Sequence, residues 1–151
     1  MLKSSRKLLF AIEAVLDIAY NAADTPVQSR EITERQGIPR RYLEPVLQQL
    51  VRADILIGVR GPRGGYRLGR ERRRITLGDI CRTVDSGVDA EEERQDTEGS
   101  ALGREVLRPL WTGLRDELLA KLDAVTIEDL CDEARGKGIR KIGKAALDFT
   151  I

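Results

Sequence analysis

The chain has 151 residues, 41% of them hydrophobic, 34% charged and 4% aromatic, a size and composition that suit one compact helical domain, or a small domain with an extended arm. It has no histidine and only two cysteines, and no run approaches the roughly 18 apolar residues of a membrane span; most catalytic, metal-centre, disulfide-scaffold and membrane-embedded architectures are therefore poorly supplied. The formal net charge of +1 hides an asymmetry: residues 1–80 hold 15 Lys/Arg against 9 Asp/Glu, or +6, and residues 81–151 hold 11 against 16, or −5, so the first half is suited to a polyanion.

The opening MLKSSRKLLFAIEAVLDIAY begins basic and turns apolar, as a secretion signal does. Glu13 and Asp17 interrupt the apolar run, and no small-residue cleavage site follows. An amphipathic helix over residues 6–20 is the better reading, with Leu8, Leu9, Ile12, Val15, Leu16 and Ala19 on its apolar stripe and Glu13 and Asp17 outside it. A cytoplasmic protein without structural disulfides and without a membrane partner is expected.

After a loop over residues 21–26, Ser29 is placed as the N-cap of a short helix, REITERQ, which stops at Gly37. Pro39 suits the first turn of the next helix, RRYLEPVLQQLVRA, whose apolar positions are Tyr42, Leu43, Val46, Leu47 and Leu50. Pro45 inside it removes a backbone hydrogen bond and favours a bend. ILIGV and YRLG read as two short strands joined by RGPRGG, a hairpin.

Thr76 and Asp79 have the form of a capping box, followed by a stripe of Leu77, Ile80, Cys81 and Val84. Residues 85–100 are polar and acidic, which suits a mobile loop. A long helix is expected over 101–125, with Leu107, Trp111, Leu114, Leu118, Leu122 and Val125 at 3–4 spacing, widened by Val106 and Leu110; Pro109 falls where it would kink the first turns. Thr126 and Asp129 start a last short helix with Ile127, Leu130, Cys131 and Ala134 inward. The tail after Arg135 has no assignable pattern, and there is no internal repeat. The expected division is a DNA-binding unit over 1–84, an acidic loop over 85–100, a dimerisation helix and short helix over 101–134, and a tail over 135–151.

Two helices joined around Gly37 fit a helix-turn-helix, and a basic glycine-rich hairpin directly after them fits a wing. The fold class expected is thus mainly α with a small β-hairpin, a winged helix-turn-helix plus a long helix. A phosphate-binding P-loop is a poor match for the hairpin, because G-x-x-x-x-G-K-S/T is missing and a strand follows. G-I-x-x-x-Y-L-E at 37–44, V-R-G-P-x-G-G-Y-x-L at 59–68, I-T-L-G-D-I at 75–80, Leu110-Trp111 and T-I-E-D-L at 126–130 resemble the Rrf-two family of bacterial winged-helix transcription regulators. The resemblance covers residues 5–134. Relatives in that family include an iron–sulfur assembly regulator, a nitric-oxide-sensitive repressor and a cysteine-metabolism repressor.

The resemblance implies a homodimer formed through the long helix, a hairpin in the DNA minor groove with Arg60 as the inserted arginine, and Glu44 as the base-reading residue. Three departures stand out. Leu8-Leu9 replace a usual Gly-Arg, Thr33 stands where a small alanine is common, and the loop 85–105 lacks the three cysteines of the cluster-binding members.

The chemistry of the residues agrees with such a role. A minor groove about 6 Å wide concentrates negative potential, so Gly61, Gly64 and Gly65 would let the backbone approach while Arg60 or Arg63 supplies charge. The bland alternative is a solvated hairpin whose glycines only serve the turn. Arg40 and Arg41 lie at a helix N-terminus suited to phosphate. A carboxylate at Glu44 can accept from cytosine N4, or simply face solvent. Tyr42 suits either a phosphate or a half-buried core position. The candidate DNA contacts are therefore Ser29, Arg40, Arg41, Tyr42, Glu44, Arg60, Gly61, Pro62, Arg63, Gly64, Gly65, Tyr66 and, more weakly, Arg67, with Arg72, Arg73 and Arg74 giving long-range attraction.

The candidate dimer seam is Leu107, Leu110, Trp111, Leu114, Leu118 and Leu122; a two-fold dimer would set its recognition helices about 34 Å apart on a palindromic site. Cys81 and Cys131 fall on apolar helix faces, where a buried thiol is the default. A redox role for either needs exposure and a lowered pKa. Two cysteines per chain would give a dimer four thiolates, but their spacing supports neither a cluster nor zinc, so no cofactor is expected. The reading is a homodimeric regulator of double-stranded DNA, most simply a repressor and not an enzyme. Its effector would be a small molecule between the winged unit and the long helix, or a protein docking on the acidic loop or tail.

Overall fold

The first helix already shows where periodicity stops being enough. In the computed structural model, which describes residues 5–22, 25–85 and 99–142, α1 (Ser5–Asn21) is the central helix, packed by the helices Ser29–Gln36, Arg40–Arg52, Leu77–Asp85 and Ile127–Gly136 and by the hairpin. Its most buried residues are Ala11, Ala14, Val15 and Ile18, all at 0% exposure. The expected stripe is rotated: Leu8, Ile12 and Leu16 flank the buried face, Leu9 is 58% exposed, and Asp17, expected outside, is 2% exposed. Small alanines let neighbouring helices approach closely, so the packing of several elements, not the longest apolar run, sets the phase.

α2 (Ser29–Gln36) and α3 (Arg40–Arg52) form the helix-turn-helix. Ser29 is the first helical residue; the N-cap is Gln28, in extended backbone, and its N–H donates to Glu31 Oε2 at 2.7 Å. Ser29 could not share this arrangement, since the third residue after it is the buried Ile32. Gly37 ends α2 at φ 65° with its N–H on the Thr33 carbonyl. Pro39 is the N-cap of α3 rather than a residue of its first turn, so the helix begins one residue later than expected, at Arg40. Pro45 lies within α3 on the exposed side, so the backbone acceptor it leaves is next to water. Leu43, Val46, Leu47 and Leu50 are all fully buried.

The hairpin pairs β1 (Leu56–Val59) with β2 (Gly65–Leu68), Leu56 opposite Leu68 and Val59 opposite Gly65. Val27 adds a third, one-residue rung: its N–H donates to the Tyr66 carbonyl at 2.9 Å and its carbonyl accepts from the Tyr66 N–H at 2.7 Å. The wing is thereby tied to the loop before α2.

A 3-10 turn at Arg72–Arg74 leads to α4 (Leu77–Asp85). The capping box expected at Thr76 forms, and the helix start expected at Thr126 forms a second one. Thr76 and Asp79 exchange bonds of 3.1 and 3.0 Å, and Thr126 and Asp129 exchange bonds of 2.9 and 3.1 Å. The long helix comprises a π turn at Gly103–Leu107, where the Arg108 N–H reaches Gly103, and α5 (Arg108–Asp123). Pro109 has no N–H to continue an α ladder, and the π turn immediately before it absorbs that defect.

α6 (Ile127–Gly136) runs two residues past the expected boundary, so Arg135 and Gly136 are helix rather than tail. Residues 137–142 then cross the end of α1. The Tyr20 hydroxyl donates to the Ile139 carbonyl, and Asn21 Oδ1 accepts from the Ile142 N–H at 2.9 Å. Most of the expected acidic loop, residues 86–98, and the tail from 143 onward lie outside the described residues. Among the described residues no helix is long and apolar enough to cross a membrane.

The architecture is a mainly helical winged helix-turn-helix with a small hairpin and a long helix leaving one side. α2 is held to α1 by Asp17, whose carboxylate accepts from Arg35 Nε at 2.9 Å, Arg35 Nη2 at 2.7 Å and Gln36 Nε2 at 2.7 Å.

Candidate nucleic-acid interface

The N-terminal ends of α2 and α3 face the wing across an open groove of about 690 Å³. Seven of the thirteen expected contacts line it: Ser29, Arg40, Arg60, Gly61, Gly64, Gly65 and Tyr66. The groove also takes in Gln28, Arg30, Thr33 and Val59, which sequence reasoning did not select. Arg30 carried a usable signal. It stands in the first turn of α2, as Arg40 and Arg41 stand in the first turn of α3, where the helix dipole disfavours cations unless an anion is to be met. Thr33 had no such signal. Its Oγ1 is buried and makes no hydrogen bond within the described protein, although the residue lines the groove.

The wing is built tightly at its base. A Cβ on Gly64 would lie 2.2 Å from the Val59 carbonyl oxygen, and one on Gly65 would lie 2.4 Å from that of Val27. These two glycines are thus required by the protein's own backbone, as the bland reading of the hairpin proposed. Gly61 differs: at φ 109°, with nothing within 4 Å of a built Cβ, its open side is available to a ligand. Arg60, Pro62 and Arg63 are exposed around it, and the Gln28 amide lies 3.5 Å from the Pro62 carbonyl.

Arg41, Tyr42, Glu44, Pro62, Arg63 and Arg67 are not brought into the groove wall. The Arg41 guanidinium lies 4.8 Å from the Tyr42 ring centre and donates to its hydroxyl at 3.3 Å, while Phe10 approaches the ring at 6.2 Å. Tyr42 is 44% exposed, an aromatic foot on α1 with its hydroxyl outward. Glu44 is half-buried and accepts from Arg40 Nε at 3.2 Å. Burial, and then the Glu44 charge, raise the Tyr66 phenol above its ordinary value, so it remains a donor at neutral pH. Arg72 reaches Glu128 at 3.5 Å and Arg73 reaches Glu71 at 2.6 Å, so these arginines are partly neutralised at home.

Neither cysteine meets the exposure that a redox role needs. Cys81 is 2% exposed, with its thiol 3.4 Å from Asp85 Oδ2, and Cys131 is 0% exposed in the core beneath α6. Among the described residues no group of three or more His, Cys, Asp or Glu side chains is placed to hold a metal. Of the expected seam, Leu107, Leu110, Trp111, Leu114 and Leu118 are 58, 60, 50, 49 and 42% exposed. Leu122 is already half-buried within the protomer.

Comparison with known proteins bears on the family and the fold. Residues 4–133 match the model of the Rrf2 family, iron-dependent transcriptional regulator. The regulator IscR of Vibrio atlanticus is 37% identical over 131 residues, 85% of this chain and 75% of that protein. Among solved structures, IscR of T. potens superposes with a TM-score of 0.72 at 28% identity, covering 91% of each chain. CymR, the global cysteine regulator of B. subtilis, gives 0.69 at 29% identity, covering 88% of this chain and 98% of that one. An iron–sulfur cluster would require four soft donors. Two buried thiols on separate helices and no histidine do not fit that group.

Proposed function

The chain belongs to the Rrf2 family of transcriptional regulators, and from that premise we propose that it is a cytoplasmic homodimeric repressor that reads a palindromic promoter site without an iron–sulfur cluster. The observation that carries the reading is the shared groove: arginines from α2, α3 and the wing converge on one surface. With α3 in a major groove about 12 Å wide, the wing can meet the adjacent minor groove, about 6 Å wide. Arg60 beside the open Gly61 then supplies minor-groove charge, Arg30 and Arg40 hold phosphates, and Glu44 accepts from a cytosine amine. No enzymatic role is proposed for a chain without histidine or a nucleophile motif.

The dimer rests on the exposed apolar stripe of α5 and its preceding turn. Large apolar side chains left exposed at helical spacing along one helix support a contact surface there. Two-fold pairing there would place two α3 helices on successive turns of DNA, about 34 Å apart. The cluster-free reading is supported by the donor set, since each chain offers at most two thiolates, both in the core.

The test is selection of bound duplexes from a random pool by the purified chain and by Arg60→Ala in parallel. A two-fold symmetric consensus, weakened in the variant, is expected. A folded dimer that enriches no consensus would overturn the proposal.

A further inference from the structure

The long helix is attached to the winged unit at one end. Leu102, Val106, Leu107, Leu110, Trp111, Leu114 and Leu118 are exposed, whereas Leu119, Leu122 and Val125 are half-buried. Two features hold that end. One is a backbone bridge between Thr76 and Thr126, in which the Leu77 N–H donates to the Val125 carbonyl and the Ile127 N–H to the Ile75 carbonyl, each at 2.9 Å. The other is a fork: Arg82 of α4 donates from Nη1 to Asp123 Oδ1 at 2.7 Å and from Nη2 to Oδ2 at 2.6 Å. A Cβ on Gly78 would lie 1.8 Å from Asp123 Oδ1, so the carboxylate occupies space that only glycine leaves. A short bridge alone acts as a pivot, whereas a planar guanidinium–carboxylate pair also fixes orientation.

We propose that the Arg82–Asp123 pair, seated over Gly78, is a positioning device that sets the angle of the long helix to the winged unit and so the half-site spacing the homodimer accepts. This rests on the dimeric DNA-reading function proposed above. From Gly103 to Asp123, at 1.5 Å per residue, the helix is a lever of roughly 30 Å. A swing of about 6° at its anchored end moves the other end by about 3 Å, close to the step between successive base pairs on a duplex that turns once in about 34 Å. The two side chains are 51% and 40% exposed, and exposed pairs add little to stability. The pair's role therefore lies in geometry rather than in holding the fold.

The experiment uses the full-length chain as wild type, Asp123→Asn, Arg82→Gln and Arg82→Lys, the last keeping the charge but losing the fork. Affinity is measured for the selected two-fold site and for versions with half-sites one base pair closer and one farther. The wild type should prefer its own spacing by about tenfold, comparable to one mismatched base pair. All three variants should fall to within about threefold across spacings, while dimer mass and melting temperature stay near wild type. Variants that keep the wild-type spacing profile overturn this inference alone. Variants that lose stability and affinity equally at every spacing overturn it too, by showing a merely structural role; if one variant does not fold, Arg82→Lys decides. A wild type with no two-fold site overturns the parent reading and this one with it.

Discussion

Replacing Asp17 with alanine should destabilise the protein by about 3 kcal/mol, the lower end of the range of roughly 3–5 kcal/mol for breaking a buried ion pair from one side. The carboxylate has 0% side-chain exposure and accepts three hydrogen bonds, two from Arg35 and one from Gln36. Its removal leaves the Arg35 guanidinium, 17% exposed, with Glu31 at 3.9 Å and the charge of Glu34 as its acidic neighbours. Residual access of water to Arg35 is the reason for choosing the lower end. The bond to Asp17 raises the Arg35 pKa in the wild type; without it the guanidinium still cannot escape by deprotonation, because an arginine stays charged at any ordinary pH. In a chain of this length each kcal/mol moves the melting temperature by about 2–4 °C, so a fall of roughly 6–12 °C is expected. Thermal and urea unfolding followed by circular dichroism measure it. Asp17→Leu combined with Arg35→Met should recover most of the loss, because an apolar pair of similar volume leaves no stranded charge. A loss below about 1 kcal/mol for Asp17→Ala, as for a surface pair, would refute the reasoning.

Affinity for the selected duplex should fall about 10³–10⁵-fold between 50 and 200 mM salt if the dimer makes roughly 6–10 phosphate contacts, and a flat response would contradict the interface. Arg40→Ala should weaken binding to all sequences alike and lower the salt slope by about one per site, read from the same titrations. Gly65→Ala should cost about 1–3 kcal/mol by forcing the wing off Val27, visible as faster amide exchange at Val27 and Tyr66 as well as in unfolding curves. Trp111→Glu with Leu114→Glu should yield a folded monomer with much weaker operator binding; sedimentation that still gives a dimer would place the seam elsewhere.

Much of the fold was legible because its signals are local. The capping boxes at Thr76 and Thr126 need only a partner three residues on, Gly37 needs only its own φ, and α3 shows one apolar face over four turns. The order of helix-turn-helix, basic hairpin and long apolar helix also named the candidate interface, and about half of its expected residues meet in one groove. Other features required the path of the chain. Periodicity reports that a helix has a buried face but not its phase when five elements pack around it, so Leu9 was placed inward and Asp17 outward. Arg35 lies 18 residues from Asp17 and Asp123 lies 41 from Arg82, separations at which no sequence spacing pairs a charge with its partner. Composition could read Gly64 and Gly65 as openings for DNA; only the strand and loop carbonyls crowding them show that the protein fills that space itself. Local hydrogen bonding and apolar period thus follow from the sequence directly. Which groups share a buried site, and how the long helix is angled, are decided by contacts between segments that only the folded chain brings together.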